Sequence, residues 1–113
     1  MAGKFEVYQD KAGEYRFRLK ARNGEVVLTS EGYSAKSGAM NGVESVQKNA
    51  SDEKRFESIE TKAGNYRFNL KAGNHQVIGT SENYSSASSR DNGIGAVGRA
   101  AVGAKVSDLT AGD

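Results

Sequence analysis

The sequence contains the same unit twice, one copy after the other. A shift of 51 positions places Phe5-Glu6 on Phe56-Glu57 and K-A-G-E-Y-R-F-R-L-K-A on K-A-G-N-Y-R-F-N-L-K-A. The same shift places T-S-E-G-Y-S (29–34) on T-S-E-N-Y-S (80–85), needs no gap from residue 5 to 50, and leaves about half of the aligned positions identical. Self-similarity with such a period indicates a supersecondary unit that builds its core by packing against its copy.

Each copy has the pattern of three strands followed by a helix. In the first copy, apolar and polar residues alternate at residues 5–7 and 15–20, and a period of two indicates strands with one buried face. Residues 26–30 are β-branched and apolar, which is typical of a third strand. Val43, Val46 and Ala50 are then three and four positions apart, as on one face of a helix.

Short turns are predicted between the strands, at Lys11-Ala12-Gly13 and at Asn23-Gly24. The second copy replaces Gly24 with His75, and we expect Asn74 to take the left-handed conformation there. His75 is the sole histidine and has no copy in the first repeat. It is therefore interpreted as an exposed turn residue, and neither a multi-histidine metal site nor a serine triad is predicted.

The helices contain glycines whose repetition indicates a packing constraint. Gly42 and its copy Gly93 lie inside them, and because glycine costs about 1 kcal/mol in a helix interior, close backbone packing is predicted. Ser34 or Ser37 is expected to cap the first helix. Residues 93–98 spell G-x-G-x-x-G, but no strand precedes them, so a glycine-rich helix is favoured over a nucleotide site.

Size and composition limit the fold to one modest domain. The chain has 113 residues and a mass of 12.0 kDa, with 36% hydrophobic and 27% charged residues, as in ordinary soluble proteins. A single repeat would leave a thin core and an exposed sheet edge. We therefore expect one pseudo-two-fold α+β domain over residues 1–113, with repeats at 4–50 and 55–102. Its two helices should cover one face of a single antiparallel-type sheet, and residues 103–113 are expected to form a flexible tail.

Charge and cysteine content exclude few partners but bear on location. The formal net charge is +2, too small by itself to imply a polyanionic partner. Cysteine is absent, which excludes disulfides and thiolate metal sites and is compatible with a reducing compartment. The first residues contain no apolar run typical of a secretion signal, and no stretch is long enough to span a bilayer, so a cytoplasmic location without membrane partners is expected.

The repeated motifs resemble those of a bacterial family. K-A-G-x-Y-R-F-x-L-K-A, followed by T-S-E-x-Y-S and a helix beginning near S-x-x-x-N-G, is similar to the YegP-like family, whose members carry one or two copies of a domain of unknown function. The resemblance covers residues 4–102. It implies a β(3)-α repeat assembled into a single sheet, with helices exchanged between repeats or, in one-copy members, between subunits. It brings no activity, cofactor or catalytic residue.

A row of basic residues on the second strand is the first candidate site. Arg16, Arg18, Lys20 and Arg22 are at alternate positions, so they are predicted to project together from the face opposite Phe17. Such a row can contact phosphates, with Tyr8 and Tyr33 as possible stacking surfaces. The favoured alternative is a solvated sheet face paired with glutamates such as Glu6, Glu14 and Glu25. The second copy keeps only Arg67 and Lys71.

The motif T-S-E-x-Y-S is the second candidate site. A pseudo-two-fold axis can bring Glu31 near Glu82 or Tyr33 near Tyr84, and paired carboxylates share protons or bind cations. Structural roles are favoured for these motif residues, because residues that occur in both repeats are expected to perform the same structural task within each repeat. In this interpretation the tyrosine packs at a turn, the serine caps and the glutamate pairs with a nearby cation.

Three functions remain open from the sequence. The first is a non-catalytic structural or interaction module that binds a protein or, through the basic row, a nucleic acid. The second is an enzyme with its site in the pseudo-two-fold groove. The third is a dimerising, stress-associated accessory protein that assembles through exposed edges. The first is favoured, with no catalytic residue, metal or cofactor predicted, and either a monomer or a homodimer is compatible with the sequence.

Overall fold

A computed structural model describes residues 3–110 of the chain. The first repeat comprises β1 (Lys4–Gln9), β2 (Tyr15–Lys20), β3 (Val26–Thr29) and α1 (Lys36–Asn49). A short 3-10 turn, Glu53–Arg55, leads into the second repeat, with β4 (Phe56–Glu60), β5 (Tyr66–Lys71), β6 (Val77–Thr80) and α2 (Ala87–Ala101). A last strand, β7 (Lys105–Asp108), follows α2. The predicted order of three strands and a helix is thus present twice.

The strands of the described residues form one seven-stranded sheet in the order β4-β5-β6-β3-β2-β1-β7. All neighbours are antiparallel except β1 and β7, which are parallel, so the sheet is mixed. The two repeats meet between β3 and β6, where Thr29 pairs with Thr80. These residues correspond under the 51-residue shift. An antiparallel pair of equivalent residues is what a two-fold axis through the junction produces, in agreement with the predicted pseudo-symmetry.

One face of the sheet carries the hydrophobic core. Alternate residues of the strands point toward the helices and are fully buried, among them Phe5, Phe17, Leu19, Phe68 and Leu70. They join the apolar residues of both helices in one cluster, so the two repeats share a single core. We call this side the helix face and the opposite side, which carries no helix, the open face.

Each helix packs against strands of both repeats. Helix α1 contacts β1 and β2 of its own repeat and β5 and β6 of the other, and α2 contacts β5 as well as β1, β2 and β3. The expected exchange of helices between repeats is therefore partial, since each helix packs on strands of its own repeat as well as on strands of the other. Among residues 3–110, no helix combines the length and the apolar character needed to cross a membrane.

The glycines inside the helices mark the closest approach between helix and sheet. A Cβ atom built on Gly42 would lie 2.6 Å from Phe17 Cε2 and 2.9 Å from the Tyr33 hydroxyl oxygen. One built on Gly93 would collide with the Tyr84 hydroxyl and lie 3.2 Å from Phe68 Cε2. The predicted close packing is confirmed. Gly93 belongs to the G-x-G-x-x-G segment, which lies within α2 as expected.

Three local predictions differ from the structure. In the turn after β5, His75 itself has a positive φ of 70°, while the side chain of Asn74 accepts a hydrogen bond from the Gln76 amide. Asn74 therefore stabilises the turn without taking the left-handed conformation. Helix α1 begins after Ala35, which has no capping side chain, so neither Ser34 nor Ser37 is its cap. Ser86 does cap α2, accepting from the Ser89 amide at 3.1 Å.

The third difference is at the end of the chain, where a flexible tail was predicted over 103–113. Residues 105–108 instead form β7, which pairs in parallel with β1, and the Leu109 amide donates to the Val7 carbonyl at 2.8 Å. The Lys36 ammonium donates to Asp108 at 2.8 Å, fixing this strand to the start of α1. Residues 111–113 lie outside the described part of the chain.

Candidate binding surface

The open face is defined by the side chains that alternate with the core residues. Residues directly opposite each other on neighbouring strands lie on the same face of a sheet, so the strand register identifies the members of this face on every strand. Its basic members come from both repeats and from β7. They are Lys4, Arg16, Arg18, Lys20, Arg67, Lys71 and Lys105. The carboxylates of the same face are Glu6 and Glu57, and Asp10 lies at its border in the turn after β1.

On the first-repeat half of this face, Glu6 forms ion pairs with three basic side chains. Its carboxylate lies 2.7 Å from Arg18 Nε, 3.2 Å from Lys20 Nζ and 3.5 Å from Lys4 Nζ, and its side chain is only 8% exposed. The hydrogen bond from Arg18 is the main cause that lowers the pKa of Glu6 to about 2, although burial acts in the opposite direction. One carboxylate thus serves three cations, and the cluster keeps a surplus of positive charge.

Arg16 and Arg18 are each paired with a carboxylate, of which Glu6 was among the predicted partners and Asp10 was not. The Arg16 Nε lies 2.7 Å from Asp10 Oδ2, and its Nη1 donates to the Ser30 carbonyl at 3.2 Å. This pair lowers the pKa of Asp10, chiefly through the hydrogen bond from Arg16. The guanidinium of Arg18 lies over the ring of Tyr8, 4.7 Å from its centroid. A planar cationic group and an aromatic ring are thereby stacked on the open face.

Arg22 lies beyond the end of the strand that carries the row. Strand β2 ends at Lys20, and Arg22 lies in the turn that the Ala21 amide closes by donating to the Glu25 carbonyl. It lines an open groove of about 820 Å³ beside the end of α2 together with Arg99, and a second groove of about 300 Å³ together with Lys4 and Lys20. Arg22 therefore lies near the end of the row, but in a turn and not on the strand.

The second-repeat half of the face is less charged, as the comparison of the copies predicts. Glu57 is 3.3 Å from Lys71 Nζ and accepts from the Asn69 amide at 3.3 Å, and these contacts lower its pKa. Asn69 stands where the first repeat has Arg18. Arg67 has no carboxylate within ion-pair distance among residues 3–110.

The tyrosines of the T-S-E-x-Y-S motif each serve their own repeat. Tyr33 forms a backbone bridge with Tyr15, and Tyr84 forms the same bridge with Tyr66. Tyr84 also stacks on Phe68, with ring centroids 6.3 Å apart. Burial is the main cause that raises the pKa of both Tyr33 and Tyr84, so each hydroxyl stays protonated at neutral pH.

The serine and glutamate of the motif have different fates. The buried Ser30 hydroxyl accepts from the Phe17 amide at 2.8 Å and donates to the Glu31 carbonyl, and Ser81 repeats this arrangement with Phe68. The first serine of the motif thus bridges two backbone groups in each repeat. Glu31 and Glu82 are exposed, and within the described residues neither pairs with a cation, contrary to the expected ion pair.

The structure adds no support for a site at His75 or for a metal site among the described residues. His75 is exposed in its turn, where it was predicted. Within residues 3–110, no three histidine, aspartate or glutamate side chains are grouped closely enough to hold a metal ion. Sequence reasoning missed the contact between Lys36 and Asp108, which joins residues 72 positions apart. No local pattern signalled it, since the counterpart of Lys36 is Ala87 and that of Asp108 is Glu57, which lies on the open face.

The fold and this surface define a class of protein: a duplicated α+β protein whose single mixed sheet carries helices on one face and a predominantly basic surface on the other. The chain belongs to the family described as "Domain of unknown function (DUF1508)", which matches residues 10–57 and 61–108. Each match begins at the turn before the second strand of a repeat and ends on the strand that follows the helix. The family resemblance in the sequence is thus confirmed.

Relatives and solved structures agree with this assignment. The chain is 59% identical over 109 residues to the "UPF0339 protein in ptx operon 5'region" of Stutzerimonas stutzeri, covering 96% of this chain and 98% of the relative. It is 47% identical over 97 residues to the UPF0339 protein YegP of Escherichia coli K12, covering 86% and 88%.

Two solution NMR structures share the fold over almost the whole chain. The yegP protein of E. coli, described as a protein of unknown function, superposes with a TM-score of 0.91 at 44% identity, covering 96% of this chain and 94% of that one. A UPF0339 protein of Shewanella oneidensis gives a TM-score of 0.90 at 50% identity, with coverages of 96% and 92%.

Proposed function

We propose that this protein is a non-catalytic interaction module whose open face binds single-stranded nucleic acid. The observation that carries the proposal is the concentration of positive charge on one face of a chain whose formal net charge is only +2. The basic side chains of the open face outnumber its carboxylates, and the register of the strands places them on the same face of the sheet. A basic surface of this kind gains affinity from each phosphate it neutralises.

The geometry favours a single strand over a duplex. The stacked pair of Tyr8 and Arg18 offers planar groups to unpaired bases. Arg16 and Arg18 are positioned by Asp10 and Glu6, so they lose little conformational entropy when they contact a phosphate. Arg67 supplies a further cation on the second-repeat half.

A non-catalytic role is supported by the way the repeated polar motif is used inside the fold. Tyr33 and Tyr84 each pack within their own repeat, and Ser30 and Ser81 satisfy buried backbone groups. These residues serve structure in both halves, and we therefore assign no reaction to the pseudo-two-fold groove. A chain without cysteine suits the reducing cytoplasm, which we propose as its location.

The proposal is tested by fluorescence anisotropy with a labelled sixteen-nucleotide single strand across a range of salt concentrations. We expect binding whose affinity falls with salt. In the variant Arg67→Gln plus Lys105→Gln, the slope of log K against log salt should become shallower by about 1.4, since each lost contact contributes about 0.7 for single strands. Neither residue takes part in the tight ion pairs of the face, so folding should be preserved.

The matched control removes the same charge from the helix side. Lys48 and Arg99 are exposed residues of α1 and α2, and the variant Lys48→Gln plus Arg99→Gln should bind as the unaltered protein does. Absence of binding at low salt would refute the proposal. Equal losses in the two double variants would refute it as well, because the attraction would then not belong to the open face.

A further inference from the structure

The two edges of the sheet differ. Strand β1 is covered on its outer side by β7, whereas β4, its counterpart in the second repeat, is the last strand of the described sheet on the other side. In the first repeat, the edge strand β1 is therefore covered by β7. In the second repeat, no strand of the described residues covers the equivalent edge strand β4.

The uncovered edge also has less of its helix face buried. Val7 on β1 is 0% exposed, but its counterpart on β4 is Ser58, which is exposed. Phe56 is half-buried, where the equivalent Phe5 is fully buried. A strand beside β4 would bury this surface in the way that β7 buries the surface of β1.

The outward backbone groups of β4 follow from the first repeat. The Leu109 amide donates to the Val7 carbonyl, so the backbone groups of Val7 point away from β2 and toward β7. The pairing of Ser58 with Phe68 repeats that of Val7 with Phe17. The amide and carbonyl of Ser58 consequently face outward, where they are available to an added strand.

A cation lies beside this edge on the helix face. In the first repeat Lys36 holds the acidic end of β7, but its counterpart is Ala87. One turn further along α2, Arg90 stands where α1 has the buried Ala39. The Arg90 guanidinium lies 5.5 Å from the ring centroid of Tyr66, and Tyr66 pairs with Glu60 at the end of β4.

Arg90 is largely buried but has only a weak internal partner. Its side chain is 15% exposed, and its ion-pair partner among the described residues is the adjacent Asp91, at 3.2 Å and 64% exposed. An ion pair with so exposed a partner contributes little. The contact with the ring of Tyr66 already orients the guanidinium of Arg90. A carboxylate of another molecule could therefore accept hydrogen bonds from Arg90 without a large rearrangement of that side chain.

We propose that the outer edge of β4 binds an extended peptide segment of another protein, parallel to β4, with an acidic side chain near its C-terminal end that pairs with Arg90. The chemistry of the ligand is read from β7, where the order K-V-S-D places an aspartate on the helix face beside a cation. This site is separate from the open face, and either one can fail without the other.

The test is an amide chemical-shift titration of the full chain by NMR, with the capped synthetic peptide K-V-S-D-L-T as probe. Saturable shifts are expected at residues 56–60 and at Arg90. The variant Arg90→Gln and a peptide with asparagine in place of aspartate should each weaken binding by about tenfold, and together by no more than either alone, as for one lost ion pair.

Two further variants keep the outcome unambiguous. Ser58→Pro removes an outward amide without touching the pairing with β5, and it should abolish the shifts while the protein stays folded. Arg99→Gln makes the same charge change on α2 away from β4 and should leave binding unaltered.

Three results would overturn the proposal. One is no saturable shift up to about 5 mM peptide, a concentration at which even millimolar affinity is detected. Another is shifts confined to β1 and β7, which would mean exchange with the protein's own strand. The third is shifts of β4 that depend on protein concentration without peptide, which would assign the edge to a second copy of this chain.

Discussion

The ammonium of Lys36, at the first position of α1, lies 2.8 Å from the carboxylate of Asp108, at the last position of β7. The other carboxylate oxygen of Asp108 accepts from the amide and the hydroxyl of Thr110. These hydrogen bonds hold the pKa of Asp108 well below its usual range. One aspartate thus ends the strand, orders the residues after it and ties both to the first helix.

Loss of this contact should release β7 without unfolding the core. We expect Asp108→Asn to increase hydrogen exchange at the amides of residues 105–109, because the charge-assisted bond from Lys36 is lost. Exchange at Phe17 and Phe68 should stay slow. The exchanged pair Lys36→Asp plus Asp108→Lys is the control and should restore part of the protection. Unchanged exchange in Asp108→Asn would show that backbone pairing alone fixes the strand.

The ion-pair cluster around Glu6 should make stability depend on acid pH. Since folding lowers the pKa of Glu6 from 4.5 to about 2, the protein gains stability that is fully present above pH 4.5 and lost as pH falls toward 2. Glu6→Gln should lower the free energy of unfolding at pH 7 by about 1–2 kcal/mol, and the difference should shrink below pH 4.

Denaturant unfolding at several pH values checks this expectation, with Glu57→Gln as the control. Glu57 is the counterpart in the second repeat but is 46% exposed, so its substitution should have a smaller effect. A pH-independent difference between Glu6→Gln and the unaltered protein would contradict the assignment of the acid dependence to Glu6.

Alanine should destabilise the protein at Gly42 and Gly93 although it is the better helix former. The added methyl group would overlap Phe17 and Tyr33 at Gly42 and would overlap Tyr84 at Gly93, and we expect losses of about 2–3 kcal/mol. Gly95 is the control in α2, since a Cβ there meets only the mobile end of Arg99, 3.0 Å away.

The control variant Gly95→Ala should therefore raise stability by about 0.5–1 kcal/mol, which is the difference in helix propensity. Thermal unfolding of the three variants measures both effects. Stabilisation by alanine at all three positions would show that helix and sheet are free to move apart.

The positive φ of 70° at His75 should cost stability that glycine recovers. His75→Gly is expected to raise the free energy of unfolding by about 1 kcal/mol, because L-residues pay that amount in the left-handed region. In the equivalent turn Gly24 has a φ of 87°, and Gly24→Ala should lose a similar amount. A loss of stability in His75→Gly would mean that the imidazole makes a contact worth more than the strain.

Local patterns predicted most of the fold and little of the surface. Alternation defined the strands, and the repeated Gly42 and Gly93 indicated close packing, because both signals depend on neighbouring residues. Strand β7 was missed since a short polar segment becomes a strand only through its parallel pairing with β1 and its contact with Lys36, far away in the sequence.

In the candidate site, too, features that depend on neighbouring residues were predicted, and features that depend on distant residues were not. Arg16, Arg18 and Lys20 lie on one strand as their spacing predicts, whereas Arg22 lies in the turn beyond it, because alternation holds only while the chain stays in the strand. The role of Glu6 as a shared partner of three cations depends on the side-by-side placement of β1 and β2. Its position opposite Arg18 follows from the register, which the sequence does not state.

The junction of Thr29 with Thr80 has a consequence for how the two halves can change over time. If the repeats were separate identical chains meeting at this pair, every substitution would appear on both sides of the axis at once. Within one chain the two sides vary independently. Only then can Lys36 correspond to Ala87 and Arg90 to Ala39, so that among the described residues β1 is covered by β7 while β4 remains an edge strand.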